Sequence, residues 1–561
     1  MSGQSCKNPL NAATENSARV NIDRRRFVQL SAGMGAAFYL PRLSQAGQFD
    51  RADVIARGTV FHDQDGTGKP SPNNRGVQGV GVSNGELVTL TDAQGRWELP
   101  VDEQVDSIFV IKPRGWQVKL DDHNLPQFTY LHRPEGSPEL RYAGLQPTGP
   151  LPSSLDFALT PQDEPEQYSA LFCGDPQPRD LREIDYLART VVPHMQGTKA
   201  AFGVSLGDIM FDNLNLYPPL NQTLGLIGLP WFNVLGNHDL NFDSKDNQFA
   251  YDTFKRTYGA TYYSFDWGPV HFLVLNNIDW TGADPERGKD RGSYRGYLGP
   301  RQLSFIKNDL AHVPTDKLVV LMMHIPLKPS VVSGESIETA DRDELFEILK
   351  DRPNLLSFSA HLHWHGNLYY GPEDGWHGKN PFHHIITGTL CGSWFRGAPD
   401  ENGIPHATMM DGTPRGYLEV EFDGNSYKID GYRAMQQPHS YQMRIACPNE
   451  IESAAAGETE VFANVFNGCQ YSTVRMKVGP ESPWRQMDRV LIEDPIYVQL
   501  VERDANLTDP YRSLASPAIC QHLWHAKLPA DLRHGTHLIE IETTDRYGHT
   551  HRGVATVRVV G

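Results

Sequence analysis

Four short apolar runs recur in the middle of the chain, and each is followed directly by a cluster of Asp, Asn or His. The runs cover residues 170–173, 202–206, 231–235 and 318–323. Runs of this length, rich in Val, Leu and Phe, are typical of strands that are buried on both faces of a sheet. Because the polar residues come where each strand ends, we expect them to meet at one edge of the sheet, where open α/β sheets bind ligands.

Helix-like patterns lie between these runs, whereas both ends of the chain read as β-structure. Apolar residues recur at helical spacing in 179–191, and residues 302–310 and 341–349 are the other predicted helices. Short alternating runs separated by turn residues fill the chain before about 160 and after about 441. We therefore predict an α/β core flanked by two small β-sandwich domains. The predicted boundaries are 1–46 for a leader segment, 50–160 and 438–561 for the β-domains, and 161–437 for the core.

The composition is that of a globular protein with an acidic balance. The chain has 561 residues and a formal net charge of −17, a length that suits roughly three or four domains. Nucleic-acid binding needs a basic footprint, so the charge argues against such a partner. A small anionic substrate remains compatible, because a bound metal pair can dominate the local field. No apolar run reaches the ~20 residues of a membrane-spanning helix, so no membrane span is expected.

The first 46 residues have the layout of an export signal. Arg24 and Arg25 precede an apolar run of small residues at 28–40, and Ser44 and Ala46 frame a cleavage site. This order resembles a bacterial twin-arginine signal. The alternative is a basic start to a cytosolic helix. The resemblance implies export of the folded protein, which would make it periplasmic or secreted.

Three of the six cysteines lie in the last part of the chain, at Cys447, Cys469 and Cys520. An oxidising periplasm would favour one disulfide among them. Their spacing does not determine which two would pair. No Cys-x-x-Cys pattern indicates a zinc finger or a redox motif.

Five blocks carry the candidate chemistry, at residues 174–177, 207–208, 236–239, 324–326 and 361–365. A single Asn-His-Asp or His-x-His means little, because isolated histidines are usually structural. Five such blocks in this order resemble the calcineurin-like metallophosphoesterase superfamily, and in particular its bacterial exported members with β-domains at both ends. The resemblance implies that the core is an α/β sandwich of the metallophosphoesterase type.

The resemblance also implies two divalent metal ions, each held by four side chains. The ligands of the first ion would be Asp175, Gln177, Asp208 and His363. Those of the second would be Asp208, Asn237, His324 and His361. Asp208 would bridge the two ions, since a carboxylate can span two cations. Such a pair can share one hydroxide and clamp a phosphoryl oxygen.

Gln177 departs from the family pattern, in which the first block usually reads Asp-x-His. An amide oxygen in place of an imidazole nitrogen makes the first site richer in oxygen. Oxygen ligands shift the preference away from zinc and toward manganese, magnesium or iron. We therefore expect manganese, with iron, magnesium and zinc as the alternatives.

His238 is predicted to be catalytic rather than a metal ligand. In the family, the His of the Gly-Asn-His-Asp block faces the substrate and donates a proton to the leaving oxygen. That role needs a partner that holds the imidazole in orientation, and Asp212 is the candidate. An alternative of equal weight is that Asp212 caps a helix. Asp239 and His365 are expected next to the metal ligands, as groups that support them.

The segment 388–417 is the predicted substrate loop, because it combines Gly, Pro, aromatic and Arg residues. Trp394 and Phe395 would stack on an organic group. Arg396 would hold a phosphate oxygen, since a guanidinium can bind two oxygens at once, and Arg415 is a second candidate. The alternative is a purely structural stack of aromatic and Arg side chains.

These observations predict an exported, dinuclear metal-dependent phosphoesterase acting on a small organic phosphate ester, either a monoester or a diester. The resemblance implies in-line attack by a metal-bridging hydroxide, with His238 protonating the leaving oxygen. One alternative is a pyrophosphatase that cuts a nucleotide-sugar-like diphosphate. Another is a non-catalytic surface binding module that metal ions stabilise. The natural substrate and any partner protein are left open.

Overall fold

The computed structural model describes residues 54–282 and 292–561, which belong to one compact unit, Asp53–Gly561. The predicted export signal at 1–46 lies outside the described residues. Across the described ranges, none of the helices combines the length and apolar character that a bilayer crossing requires.

The N-terminal domain is a sandwich of two small sheets. Its strands are β1 (Val54–His62), β2 (Arg75–Gly76), β3 (Gly81–Ser83), β4 (Val88–Leu90), β5 (Arg96–Val101), β6 (Ser107–Val110), β7 (Trp116–Leu120), β8 (Pro126–Gln127), β9 (Thr129–Leu131) and β10 (Phe157–Pro161). One sheet has the order β2-β1-β10-β7-β8 with β5 also on β1, and the other has the order β4-β3-β6-β9. The turn between β4 and β5 thus carries the chain from one sheet to the other.

The core domain alternates strands and helices. Its elements are β11 (Gln167–Cys173), α1 (Leu181–Met195), β12 (Gly203–Ser205), α2 (Tyr217–Gly225), β13 (Trp231–Asn233), α3 (Asn247–Ala250), α4 (Asp252–Tyr258), β14 (Tyr263–Trp267), β15 (Val270–Val274), β16 (Ile278–Thr281), β17 (Ser293–Gly296), α5 (Pro300–Leu310), β18 (Val319–Met322), α6 (Arg342–Leu349), β19 (Leu355–Ser359), β20 (Gly366–Tyr370), β21 (Phe382–Ile386), β22 (Gly416–Asp423), β23 (Ser426–Lys428) and β24 (Arg433–Ala434). The three predicted helices correspond to α1, α5 and α6.

Two six-stranded sheets form the centre of the core. The first has the order β13-β12-β11-β22-β23 with β24 on β22, and the second has the order β14-β15-β18-β19-β21-β20. The sheets pack face to face, and the rings of Phe172 in β11 and Phe358 in β19 stack with centroids 4.1 Å apart. Because side chains alternate along a strand, Leu171 and Cys173 point the other way and pack with Leu187 of α1. The predicted α/β sandwich is confirmed.

The C-terminal domain is a second β-sandwich. Its elements are β25 (Met443–Ala446), β26 (Glu450–Glu452), β27 (Glu460–Val465), β28 (Thr473–Val478), β29 (Arg485–Gln486), β30 (Asp488–Glu493), α7 (Pro495–Arg503), β31 (Ile519–Lys527), β32 (Gly535–Thr544) and β33 (Thr550–Val560). The sheets have the orders β25-β27-β31-β30 and β26-β33-β32-β28-β29. The predicted boundaries at 160/161 and 437/438 fall at the end of β10 and between β24 and β25.

The cysteines of this domain are free thiols, so the prediction of a disulfide among Cys447, Cys469 and Cys520 is wrong. Cys520 lies inside β31, where its sulfur is 3.5 Å from Nδ1 of His522. Cys469 lies in the turn after β27, with its backbone bonded to Ser472. Burial raises the pKa of the Cys520 thiol well above its ordinary value, which keeps the thiol protonated and unreactive.

Candidate metal centre and active site

The five polar blocks meet at one edge of the two core sheets. Strands β11, β12 and β13 run parallel as neighbours in the first sheet, and β18 and β19 run parallel in the second. A bridge between Gly174 and Thr389 joins the two sheets at this edge. Each block lies directly after the carboxyl end of one of these strands, as expected for a ligand site of an α/β sheet.

Asp208 lies at the centre of the predicted metal ligands. Its Oδ1 is 3.2 Å from Nε2 of His324, and its Oδ2 accepts a hydrogen bond of 2.9 Å from the amide of Gln177. The same His324 nitrogen is 3.1 Å from Oδ1 of Asn237. Nδ1 of His361 also lies 3.2 Å from Nε2 of His324. Ligand atoms of Asp208, His324 and His361 all lie within 4.8 Å of one another.

Asp175 and His363 form the other side of the cluster, with Oδ2 of Asp175 lying 3.3 Å from Nε2 of His363. The structure therefore brings all seven predicted ligands into one connected group. Oδ2 of Asp175 is buried and has no hydrogen-bond donor among the described residues. A buried carboxylate oxygen without a donor is costly unless a cation binds it, so the donor set fits divalent metal ions.

Backbone carbonyls hold the three ligand imidazoles in place. His324 donates from Nδ1 to the carbonyl of Leu206 at 2.8 Å, and His363 donates from Nδ1 to Gly392 at 2.5 Å. His361 donates instead from Nε2 to Ser336 at 2.9 Å. The ring nitrogen that does not bind a carbonyl is in each case the one that faces the cluster, so the tautomers suit metal binding.

Three members of the cluster have protonation states that suit metal binding. Burial, with the charge of His324, lowers the pKa of His361 to about 3, and burial lowers the pKa of His363 to about 3. Although burial opposes it, His324 and His238 hold the pKa of Asp208 well below its ordinary value. Two neutral imidazoles beside an ionised carboxylate are the forms that bind a metal ion.

Two other members of the cluster must each release a proton when a metal ion binds. Burial raises the pKa of Asp175 to about 8. Although burial opposes it, Asp208 and Asp175 raise the pKa of His324 to about 9.

Five of the predicted ligands have a left-handed backbone, which side chains other than Gly rarely adopt. Their φ values lie between 30° and 72°, at Asp175, Gln177, Asp208, His361 and His363. Such conformations cost free energy and persist only where the surroundings impose them. The turns aim the side chains of each block into the cleft.

Two glycines allow the loops to approach this closely. A Cβ on Gly236 would lie 1.9 Å from the backbone nitrogen of Asp208, and one on Gly207 would lie 2.4 Å from the ring of His324. Gly207 also has a φ of 91°. Any side chain at either position would push two ligand loops apart.

Asp239 is buried and connects two of these loops without facing the cleft. Its carboxylate accepts hydrogen bonds from the backbone of Ile209 at 3.1 Å, Met210 at 3.2 Å and Gly236 at 2.9 Å. The hydroxyl of Tyr217 donates a further one at 3.0 Å. Asp239 therefore fixes the positions of Asp208 and Asn237 through the backbone.

His238 lies beside the cluster and is partly exposed. Nδ1 of His238 is 2.5 Å from Oδ1 of Asp212, and its Nε2 is 4.0 Å from Oδ2 of Asp208. The ring of Phe211 stacks on the imidazole with centroids 4.7 Å apart. The predicted pair is thus in contact. Asp212 does not cap a helix, since the short helical turn Leu214–Leu216 has Asn213 at its N-cap.

His365 is not beside the metal ligands, which corrects its predicted position. Its Nε2 bonds Asn467 in the C-terminal domain at 3.0 Å, and its ring lies 6.0 Å from that of His522. The prediction assumed strand-like alternation from His361 through His363. The left-handed backbone of both residues breaks that alternation, so His365 turns toward the C-terminal domain.

The predicted substrate loop divides into two parts. The ring of Trp394 lies 3.9 Å from that of His363, and the guanidinium of Arg396 lies 5.6 Å from the Trp394 ring. Phe395 is only 2% exposed, and it packs on Tyr186. Trp394 and Arg396 border the cleft. Phe395 lies in the core, so the prediction that it contacts the substrate is wrong.

Arg415 also has a structural role, which corrects its prediction as a substrate ligand. The residue is 3% exposed. Its guanidinium donates to Thr190 at 3.2 Å, to the carbonyl of Leu390 at 3.3 Å and to Gln436 at 3.3 Å. Three of its five N–H groups are bound by protein oxygens and the side chain is buried, so Arg415 holds the interior together instead of contacting a substrate.

The sequence interpretation missed two arginines at the cleft. Arg179 lies over the ring of Phe211 at 4.0 Å, and its proximity to Gln177 in the sequence was a usable signal. Arg512 donates to Glu183 at 2.8 Å and to the carbonyl of Trp394 at 2.6 Å. Arg512 lies in the C-terminal domain, and no local pattern marks it.

Two segments of the chain match family models. Residues 384–551 match the C terminal of calcineurin-like phosphoesterase, and residues 64–142 match the N terminal of calcineurin-like phosphoesterase. No curated protein matches the chain.

Among solved structures, the chain is similar to a dimetal phosphatase from Danio rerio, with 13% identity and a TM-score of 0.33 over 48% of this chain and 97% of that one. It is also similar to a purple acid phosphatase from the seeds of yellow lupin (Lupinus luteus). There the identity is 12% and the TM-score 0.35, over 50% of this chain and 55% of the other.

Proposed function

Because the chain belongs to the calcineurin-like phosphoesterases, which are metal-dependent phosphoric ester hydrolases, we propose that it hydrolyses a small organic phosphate ester with His238 as the general acid. The ester is a monoester or a diester. One observation carries the proposal: the ligand atoms of Asp208, His324 and His361 converge within 4.8 Å, and the partly exposed His238 lies next to them.

Seven side chains would hold two divalent ions, namely Asp175, Gln177, Asp208, Asn237, His324, His361 and His363. When bound, such a pair supplies an activated water and offsets the negative charge of the phosphoryl oxygens. The buried Oδ2 of Asp175 and the neutral His361 and His363 support this role. Gln177 adds an oxygen donor, so we propose manganese as the preferred ion.

His238 would protonate the leaving oxygen of the ester. Its Nδ1 faces Asp212, which leaves Nε2 directed toward the cleft. Although burial lowers the pKa of His238, Asp208 and Asp212 raise it to about 9. The contact with Asp212 thus favours the protonated imidazole, which can give its proton to a departing alkoxide.

Two chromogenic substrates test the proposal on the full chain. The protein is first treated with a chelator and then supplied with manganese, and hydrolysis of p-nitrophenyl phosphate and bis-p-nitrophenyl phosphate is followed. We expect metal-dependent turnover of at least one of the two substrates. The substrate that is hydrolysed faster shows whether the protein prefers monoesters or diesters. Absence of turnover of both, with metal bound, would refute it.

Export is a separate part of the proposal, supported by Arg24, Arg25 and the apolar run at 28–40. In a bacterial host, the wild-type chain should appear in the periplasmic fraction, whereas a variant with Arg24→Lys and Arg25→Lys should stay in the cytoplasm. Equal fractionation of the two would show that this segment is not a twin-arginine signal.

A further inference from the structure

Two aromatic–arginine pairs border the cleft next to the metal ligands. Arg179 covers Phe211 at 4.0 Å, and Phe211 stacks on His238 at 4.7 Å. Arg396 lies 5.6 Å from the ring of Trp394, whose ring is 3.9 Å from that of the metal ligand His363. Both guanidiniums are therefore one aromatic ring away from the reacting centre. They lie close enough to each other that Arg396 adds to the effect of burial in lowering the pKa of Arg179.

Neither guanidinium forms an ion pair within 4 Å with a carboxylate of the described residues, although Glu183 and Asp212 lie close enough to raise the pKa of Arg179 against the effect of burial. The side chain of Arg179 is half-buried and makes no hydrogen bond or ion pair with any described residue. That of Arg396 is half-buried and makes one hydrogen bond, of 3.3 Å, to the carbonyl of Ser513. The Nε atoms of both are buried and unpartnered within the described part of the chain. Half-buried charges in this state are costly unless a ligand pairs with them.

The C-terminal domain adds a third guanidinium to this wall. Arg512 donates to the carbonyl of Trp394 and to Glu183, and its own carbonyl accepts from the backbone of Gly397 at 2.8 Å. Nη1 of Arg512 is buried without a partner among the described residues. Glu183 forms a direct ion pair with Arg512, whereas Arg179 and Arg396 form none with any described residue.

A purely structural role does not account for these contacts. Arg415 shows what a structural arginine looks like here, because its guanidinium donates to three protein oxygens in the interior. A contact with an aromatic face attracts a cation but leaves its N–H groups without acceptors. The unfilled N–H groups of Arg179 and Arg396 are therefore available to acceptors that the described residues do not provide.

We propose that Arg179, Arg396 and Arg512 form a second anion subsite, and that the substrate is a phosphate ester carrying a further anionic group, either phosphate or carboxylate. The inference rests on the proposed function, since the scissile phosphate would lie at the metal ligands. Guanidinium groups bind both kinds of anion through paired N–H groups. Phe211 and Trp394 would line the space between the two anionic groups.

Phosphonates that cannot be hydrolysed separate binding from turnover. The full chain is loaded with manganese, freed of excess metal and titrated calorimetrically with alkylphosphonates, α,ω-bisphosphonates and ω-carboxyalkylphosphonates of two to six carbons. The series covers the spacing between the two sites, and the carboxylate and phosphonate arms identify the preferred anion. We expect at least one doubly anionic ligand to bind about tenfold or more tightly than the alkylphosphonate of equal length.

Arg179→Gln and Arg396→Gln test the residues. Because the side chain of Arg179 makes no hydrogen bond or ion pair with any described residue, its replacement should leave the fold intact, which circular dichroism checks. In each variant the affinity advantage should fall toward the statistical factor of two for a symmetric bisphosphonate and toward one for a carboxyalkylphosphonate. Arg489→Gln is the matched control, since Arg489 also makes one carbonyl contact, to Gln521 at 2.7 Å, but lies in β30 of the C-terminal sandwich. That control should keep the full advantage.

The subsite is disproved if no doubly anionic ligand exceeds its alkylphosphonate, or if the advantage persists in both cleft variants. Turnover of p-nitrophenyl phosphate is measured on the same preparations. A wild-type protein with normal turnover but no affinity advantage for any doubly anionic ligand would overturn the subsite alone. Retention of the advantage in a protein without turnover would support the subsite and contradict the proposed reaction.

Discussion

Nδ1 of His238 lies 2.5 Å from Oδ1 of Asp212, and this contact directs the other ring nitrogen into the cleft. Asp212 has a left-handed backbone, with a φ of 64°. Its carbonyl accepts a hydrogen bond of 2.6 Å from the hydroxyl of Tyr142. Tyr142 lies within the predicted N-terminal domain, so that segment helps to position the general acid.

Asp212→Asn should shift the pH dependence of turnover. Asn tolerates the left-handed backbone, but it removes a charge that raises the pKa of His238. The acid would then lose its proton at lower pH, so the alkaline decline of the rate moves to lower pH. We expect a loss of about tenfold at pH 8. Rates from pH 5 to 10 check this, with the surface variant Asp185→Asn as control. An unmoved alkaline limb would contradict the role of Asp212.

His238→Ala should slow hydrolysis in a manner that depends on the leaving group. An alkyl phosphate needs a proton on the departing oxygen, so its rate should fall by ~10²–10⁴-fold. The loss should be far smaller for p-nitrophenyl phosphate, because p-nitrophenolate leaves without a proton. Metal content should stay unchanged, whereas His361→Ala should lose metal and slow both substrates. If His238→Ala slows both substrates equally, His238 binds the substrate or a metal ion and does not donate the proton.

Gln177→His should change the metal preference. An amide can bind a metal ion only through its oxygen, so with Gln177 as a ligand turnover should be higher with manganese than with zinc. An imidazole at this position should move the preference toward zinc. Turnover of p-nitrophenyl phosphate with each ion, in both proteins, checks the ratio. Equal activity with both ions in both proteins would contradict the idea that residue 177 sets the metal preference.

The buried imidazole of His271, in β15, should make the stability of the fold depend on pH. The imidazole is 2% exposed and lies 2.8 Å from Asp266 and 3.0 Å from Asp309. Burial lowers its pKa, but Asp309 and Asp266 raise it to about 9. A raised pKa stabilises the fold fully below the unfolded value of ~6.5, and this contribution disappears as the pH rises to about 9. It is on the order of 3 kcal/mol.

Thermal unfolding of chelator-treated protein tests this contribution. The difference in Tm between wild type and His271→Gln should be largest below pH 6.5 and should shrink toward pH 9. His525→Gln, at a more exposed imidazole that contacts Glu460 at 2.9 Å, is the control. A difference that stays constant from pH 6 to pH 9 would contradict the charged state of His271.

The strands and their ligand blocks were predictable because local pattern decides them. A buried strand such as β18 needs only a run of apolar residues, and the block with His324 follows it at once. The family resemblance then assigned roles to residues that the strand ends bring together. Helix α1 was predicted to begin at 179, but Asp180 caps it by accepting from the backbone of Glu183 at 2.9 Å, so it begins at Leu181.

The errors arose where backbone conformation or distant chain segments decide the outcome. Phe395 was assigned to the substrate because it lies between Trp394 and Arg396. Its φ of 49°, together with that of 54° at Trp394, turns it into the core. Arg512 reaches the cleft from more than 100 residues away in sequence, since it contacts Trp394. No pattern within a single segment indicates such a contact.

The most direct test of the account is a metal titration of the full chain after chelation. Manganese is added stepwise while bound metal and hydrolysis of p-nitrophenyl phosphate and its bis ester are measured. We expect turnover to be lost on chelation and restored as two ions bind per chain, and we expect Asp208→Asn to lose both ions and turnover together, because Asp208 would bridge them. Turnover that survives chelation, or an Asp208→Asn variant that keeps two ions and full activity, would contradict the dinuclear phosphoesterase.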